Sequence, residues 1–394
     1  MNKSIIWKEN DNLKDKKEIE KEKFYGLYID DEAINYHKSF SEYSETSLHI
    51  LKNYSKKVGI KNVFIKDEST RFGLNAFKVL GASFAIGKYI GKMINKDMSE
   101  ITFEYLKSGE WKKELKDITL VSTTDGNHGR GVAWTAKQLE VPCRIYMPKG
   151  STENRLKNIT DLGAYGEITE YNYDETVRLV NELAEKNGWT IIQDTAWEGY
   201  EDIPKWIMKG YSTLAKEVIK ELKENIPTHI FLQAGVGAFA GVMASVFTEE
   251  YIKNPPKIIL VEPSNAACFF ESALNNKCTA VGGDLNTIMC GLACGEPNPL
   301  GYEILSRYCD VFLSVSDEMT KRGMKMLNKP LKDDPKITSG ESGAVGMGVL
   351  DEIMTNPEYD KLKTYLELNE KSNVLIISTE GNTDPDVYKS IIEE

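Results

Sequence analysis

The sequence predicts an α/β protein built on two open, twisted parallel sheets with helices on both faces. Three observations carry this. Short apolar runs rich in β-branched residues alternate with longer amphipathic segments, the pattern of parallel strands joined by helices. At 394 residues the chain exceeds one ordinary domain and suggests two. With 41% apolar residues it can bury cores of that size.

Taken in order, residues 1–23 read as a polar leader, because 8–23 is rich in Lys and Glu and such runs stay solvated. Strands are predicted at 63–66, 119–124, 144–148, 191–195, 229–233, 257–262, 311–315 and 374–378. Helices are predicted at 126–140, 174–187, 210–224 and 238–252. The polar stretch 95–112 is a crossing between two layers, and Pro204 marks a second break. Residues 24–95 and 205–394 would then form a large domain and 96–204 a small one.

The charge balance narrows the partners. There are 49 basic and 60 acidic residues, a net charge of -11, which argues against nucleic acid or an anionic membrane. Apolar runs such as Ile258 to Val261 are too short to cross a bilayer. The N-terminus is charged throughout and lacks the apolar core of a signal peptide, so a cytoplasmic location is expected. The six cysteines match no zinc spacing and no two of the four histidines share a metal-binding helical spacing, so no metal is expected.

In open parallel sheets ligands bind beyond the carboxyl ends of strands. After strand 229–233 comes Ala234-Gly235-Val236-Gly237-Ala238-Phe239-Ala240-Gly241, which enters a helix. Glycines let several N–H groups converge on one anion beside a helix N-terminus, and phosphate is the natural guest. The same loop fits the dinucleotide fingerprint as Gly235-x-Gly237-x-x-Ala240, with Glu262 placed as the ribose-binding acid. A purely structural turn is the third reading, and the loop alone leaves all three open. Lys78 lies among Phe77, Val79 and Leu80. Apolar surroundings lower a lysine's pKa and leave the neutral amine that imine formation needs. A snorkelling surface lysine is the plainer alternative.

Four motifs in order decide between these readings. They are the 66–84 segment around Asn75-Ala76-Phe77-Lys78, the turn Thr124-Asp125-Gly126-Asn127-His128-Gly129, the loop 235–241, and Ser378-Thr379-Glu380-Gly381-Asn382. Together they resemble the fold-type II pyridoxal-phosphate enzymes, the superfamily of threonine dehydratase, cysteine synthase and the tryptophan synthase β chain. The lysine segment departs slightly from that superfamily's usual form. The resemblance implies pyridoxal 5'-phosphate as cofactor, with Lys78 carrying it as a Schiff base. Gly235, Val236, Gly237, Ala238 and Phe239 would hold the phosphate through N–H groups. Asn127 would meet the phenolic oxygen and Thr379 the ring nitrogen. Thr124, Asp125, Gly126 and His128 would receive the substrate carboxylate. Glu341 and Ser342, in a glycine-flanked turn, would support the cofactor from behind or serve as structure only. A homodimer acting on a small amino acid is implied as well.

Two acids set the chain apart. Asp125 reads as a helix N-cap and Asp194 as a strand-end turn residue, yet both suit a substrate with a second amine. With Ser339-Gly340-Glu341-Ser342-Gly343-Ala344 they resemble the diaminopropionate ammonia-lyase branch. That branch implies α,β-elimination through aminoacrylate to pyruvate and two ammonia. Lys78 would take the α-proton of an L substrate and Asp125 that of a D substrate, while Asp194 holds the leaving nitrogen's proton or relays it. A serine or threonine dehydratase is the sibling alternative. A nicotinamide oxidoreductase and a non-catalytic amino-acid sensor are readings from other classes. Cys268 and Cys294 fall in loops bordering the substrate entrance, either paired or as thiols.

Overall fold

Strands that are apolar at every position need cover on both faces, whereas alternating ones suit an edge. The computed structural model, which describes residues 4–124 and 126–394, buries its inner strands almost throughout and leaves its edge strands partly exposed. The strands are β1 (Ile5–Glu9), β2 (Ser47–Ile50), β3 (Asn62–Asp67), β4 (Leu120–Thr123), β5 (Cys143–Met147), β6 (Tyr165–Ile168), β7 (Thr190–Ile191), β8 (His229–Gln233), β9 (Lys257–Pro263), β10 (Val311–Val315) and β11 (Asn373–Ser378). Among the described residues they form a seven-stranded sheet, in order β1-β10-β9-β8-β11-β3-β2, and a four-stranded sheet, in order β6-β5-β4-β7. The smaller sheet and the five inner strands of the larger one pair in parallel. Period-two alternation sends Ile230 and Leu232 of β8 into one core and Phe231 into another, so helices pack on both faces of the large sheet.

Both edges of the large sheet are antiparallel, which the expectation of parallel sheets did not include. One edge is β1, inside the segment expected to be a solvated leader. Ile5 is buried, and Lys16 Nζ reaches Asp310 Oδ2 at 2.6 Å, so ladder pairing and burial dock this segment despite its charge. β2 and β6, also unforeseen, are short edge strands. β7 stops before the expected 195. Past it the Gln193 side chain accepts the Thr123 N–H at 2.9 Å, and Ser122 Oγ donates to the Ile192 carbonyl at 2.7 Å. Side chains thus replace the ladder and free Asp194 to point elsewhere. Pro204 lies in the first turn of helix Asp202–Leu222, where a missing N–H costs little, and so begins a helix where a break was expected. Among the described residues no helix is long and apolar enough to cross a membrane.

A buried ionic network braces the stretch that leads to Lys78. Arg71 bonds Glu68 through Nε at 2.8 Å and Glu217 through Nη2 at 2.7 Å, and Lys66 Nζ lies 3.1 Å from Glu217. Burial acts to raise the Glu217 carboxyl, but Arg71 and then Lys66 outweigh it and hold it at about 2. A carboxyl depressed in the folded state stabilises above its ordinary range and loses that contribution as pH falls. Stability should therefore drop between about pH 4.5 and 2. Removing one partner strands a buried charge, so Glu217→Leu should cost about 3 kcal/mol in urea unfolding at pH 7.

Candidate active site

Residues just past the carboxyl ends of β4, β8 and β11 line one cleft, as the rule for parallel sheets requires. Lys78 reaches it through its own backbone. Phe77 N donates to the Thr379 carbonyl at 3.2 Å and Gly381 N to the Asn75 carbonyl at 2.8 Å. Residues 75–77 therefore run beside 379–381, and Lys78 stands immediately before helix Val79–Met93. Its Nζ lies 2.5 Å from Asp194 Oδ2, with side chains 17% and 4% exposed, so the amine faces the cleft and not bulk water.

Asp194 is set among further donors, since Tyr173 Oη donates to its Oδ1 at 3.0 Å and Gln193 Nε2 at 3.4 Å. Burial acts to raise this acid, but Lys78, His128 and Tyr173 outweigh burial and hold it well below the usual carboxylate range. An acid so placed stays ionised at every physiological pH.

Opposite lies the glycine loop. Gly237 is the N-cap of helix Ala238–Glu250 at φ +86°, with no side chain capping the helix, so the first-turn N–H groups open onto the cleft. Phe239 packs on Phe77 with ring centroids 4.6 Å apart, joining the loop to the lysine segment. Gln233 Nε2 donates to Thr379 Oγ1 at 2.9 Å, which leaves the threonine's own O–H to donate. The donor set is thus an amine, an open helix N-terminus and a hydroxyl on one cleft. It fits a phosphate-bearing aldehyde with a ring nitrogen.

The turn after β4 differs from expectation in detail. Thr124 Oγ1 accepts the N–H of Gly126 at 2.9 Å and of Gly129 at 3.0 Å. Gly126 therefore has no N–H to offer a substrate carboxylate, whereas Thr124, Asn127 and His128 line the cleft. His128 Nε2 donates to the Ile192 carbonyl at 2.7 Å, which pins the turn to the end of β7. Asn127 Nδ2 donates to Glu380. Asp125 lies outside the described residues. Glu341 is turned away from the cleft wall toward Arg155, 3.7 Å distant, because Ser342 N donates to Glu380 and brings Ser342 to the cleft instead. Burial and then Glu380 push the Glu341 acid up to about 7, against the pull of Arg155.

Cys294 lines the cleft, and the buried Cys268 Sγ lies 3.9 Å from the Gly235 carbonyl oxygen. Glu262 accepts the N–H of Phe269 at 2.9 Å and of Phe270 at 2.7 Å. Both its oxygens start helix Cys268–Asn275, which removes the acid that a dinucleotide site needs. Cleft residues with no role expected from the sequence include Tyr173, Gln233 and Glu380. Gln233 and Glu380 follow the strand-end rule and could have been found by it. Tyr173 starts helix Tyr173–Asn187 with nothing in its neighbourhood to mark it.

Comparison with known proteins agrees with this geometry. Residues 40–380 match the family described as pyridoxal-phosphate dependent enzyme, and the chain belongs to it. Within that class, diaminopropionate ammonia-lyase of Salmonella typhimurium is 47% identical over 368 residues, which is 92% of this chain and 91% of that protein. The Escherichia coli K12 protein of the same name is 46% identical over 92% of this chain and 90% of its own. The chain is a member of the diaminopropionate ammonia-lyase family. A crystal structure of the Escherichia coli enzyme in complex with D-serine superimposes at a TM-score of 0.91, with 42% identity, covering 98% of this chain and 96% of that one. Another, holding an aminoacrylate-PLP azomethine reaction intermediate, gives 0.89 at the same identity and coverage.

Proposed function

We propose that this chain converts 2,3-diaminopropionate to pyruvate and two ammonia by α,β-elimination, using pyridoxal 5'-phosphate. The observation that carries the reading is the 2.5 Å contact between Lys78 and an aspartate held ionised, both facing the glycine loop. When bound, the cofactor supplies an electron-withdrawing ring that acidifies the substrate's α-carbon. Lys78 would hold its aldehyde carbon, residues 235–239 its phosphate, Asn127 its phenolic oxygen and Thr379 its ring nitrogen.

The other steps belong to the chain's own residues. Lys78 Nζ, once released, is the base for the α-proton of an L substrate, and Asp125 is the base for a D substrate. Asp194 binds the substrate's second amine as ammonium and keeps it protonated, so it departs as neutral ammonia. A depressed acid is a poor proton donor, so holding is favoured over relaying. The same fact disfavours the dehydratase reading, because a departing hydroxyl needs a proton delivered to it. The released enamine takes up water and gives pyruvate with the second ammonia.

A coupled assay tests this directly. One pyruvate and two ammonia should form per diaminopropionate, with weak turnover of serine; equal efficiency on serine would refute the substrate assignment. Asp125→Asn should lower turnover of the D isomer about 100-fold or more while the L isomer loses far less. Equal losses on both would sink the two-base scheme. At Gly237 an added Cβ would come within 2.2 Å of the Phe269 ring, at a φ that side chains rarely adopt. Gly237→Ala should destabilise the protein by about 1–3 kcal/mol and weaken cofactor retention, read from melts with and without added cofactor. A homodimer in the cytoplasm completes the reading, and sedimentation of the purified protein tests the first half.

A further inference from the structure

Glu380 has no part in that scheme, yet it is 1% exposed and lines the cleft. It follows Thr379 past the end of β11, and each carboxyl oxygen has a partner. Oε1 accepts the Ser342 N–H at 2.7 Å, and Oε2 accepts from Asn127 Nδ2. The surroundings are shaped to hold this side chain. A Cβ on Gly340 would lie 3.1 Å from Glu380 Cγ, and one on Gly343 would lie 2.9 Å from the Glu380 carbonyl oxygen. The glycines flanking Glu341-Ser342 therefore make the room it occupies. Its backbone is fixed as well, for its carbonyl accepts the Gly340 N–H at 2.9 Å and it bridges to Ala76.

A primary amide has a donor end and an acceptor end, and which one faces a ligand depends on its neighbours. Both Glu380 oxygens act as acceptors, so Asn127 must turn its Nδ2 toward them. One Nδ2 hydrogen is engaged there and the other stays available in the cleft. We infer that Glu380 is a positioning residue, which orients the Asn127 amide so that a donor faces the cofactor's phenolic oxygen. The inference rests on reading this cleft as the pyridoxal-phosphate site. It adds that an acid on the larger sheet sets the polarity of a residue on the smaller one.

Glu380→Gln in the holoenzyme tests it. The glutamine still accepts from Ser342 but now offers N–H to Asn127, whose amide must flip. The cofactor's absorbance band should shift, and the concentration at which cofactor is lost on dilution should rise about tenfold. In an Asn127→Ala background the same substitution should change neither reading. Wild-type spectrum and affinity in the single variant, or an equal change in the Asn127→Ala background, would overturn the assignment. If Glu380→Gln does not fold, the double variant Glu380→Gln with Asn127→Asp restores the contact with reversed polarity. It should recover the melting temperature and not the spectrum; recovery of both would overturn the inference. A wild-type protein with no cofactor band at all refutes the cofactor reading itself, which keeps the two failures apart.

Discussion

Lys78→Ala should lower kcat on diaminopropionate by about 10⁴-fold or more, because one amine is both the covalent anchor and the α-proton base. Pyruvate release measures the loss. A second readout separates chemistry from folding. The variant keeps the helix N-terminus at Ala238 and the Thr379 hydroxyl, so it should still take up cofactor, with its absorbance that of the free aldehyde. Borohydride, which should fix the cofactor to Lys78 in the wild type, should fix nothing in the variant. Retention of a tenth of wild-type activity would remove the amine from the centre of the mechanism.

Asp194→Asn should cost about 10²- to 10³-fold in kcat/KM for diaminopropionate, and much less for serine, which has no second ammonium to hold. The substitution keeps the shape and takes the charge, so Lys78 loses the counter-ion now 2.5 Å away. The pH dependence has a definite sign. Because Asp194 lies well below the ordinary carboxyl range, its ionised form persists as pH falls. An acid limb of the rate profile between about pH 4 and 7 must then belong to another group. If Asp194→Asn moved that limb, or impaired both substrates alike, the aspartate would not be the ammonium's partner.

Much of this site was legible in the chain because its chemistry is local. Lys78 between apolar neighbours, the glycines after β8 and the hydroxyl after β11 each announce themselves within a few residues. β8 and β10 were read to the residue because both are buried at every position and carry runs of apolar residues. The edge strands were hidden for the opposite reason: β1 is half exposed and runs into a stretch of charge. Glu380 stands where the strand-end rule points, but its role stayed hidden because its partners stand at 127 and 342, and no window along the sequence contains them. Gly126 was assigned to the substrate because a turn's N–H groups look free until Thr124 Oγ is seen to claim one. Glu341 and Ser342 were read together as support from behind the cofactor or as structure only, because nothing along the chain shows which of the two faces the cleft.

The strand order has a consequence for how the molecule comes into being. The small sheet is drawn from residues 120–191, a contiguous stretch that a ribosome delivers early. The middle of the large one must wait for β11, which is synthesised after every other described strand and wedges between β8 and β3. Until that final stretch emerges, the lysine has no threonine beside it, and a nascent or truncated chain ending before 373 cannot assemble a working centre. Reactive aldehyde chemistry is thereby confined to chains in which β11 and the turn that follows it have already been made.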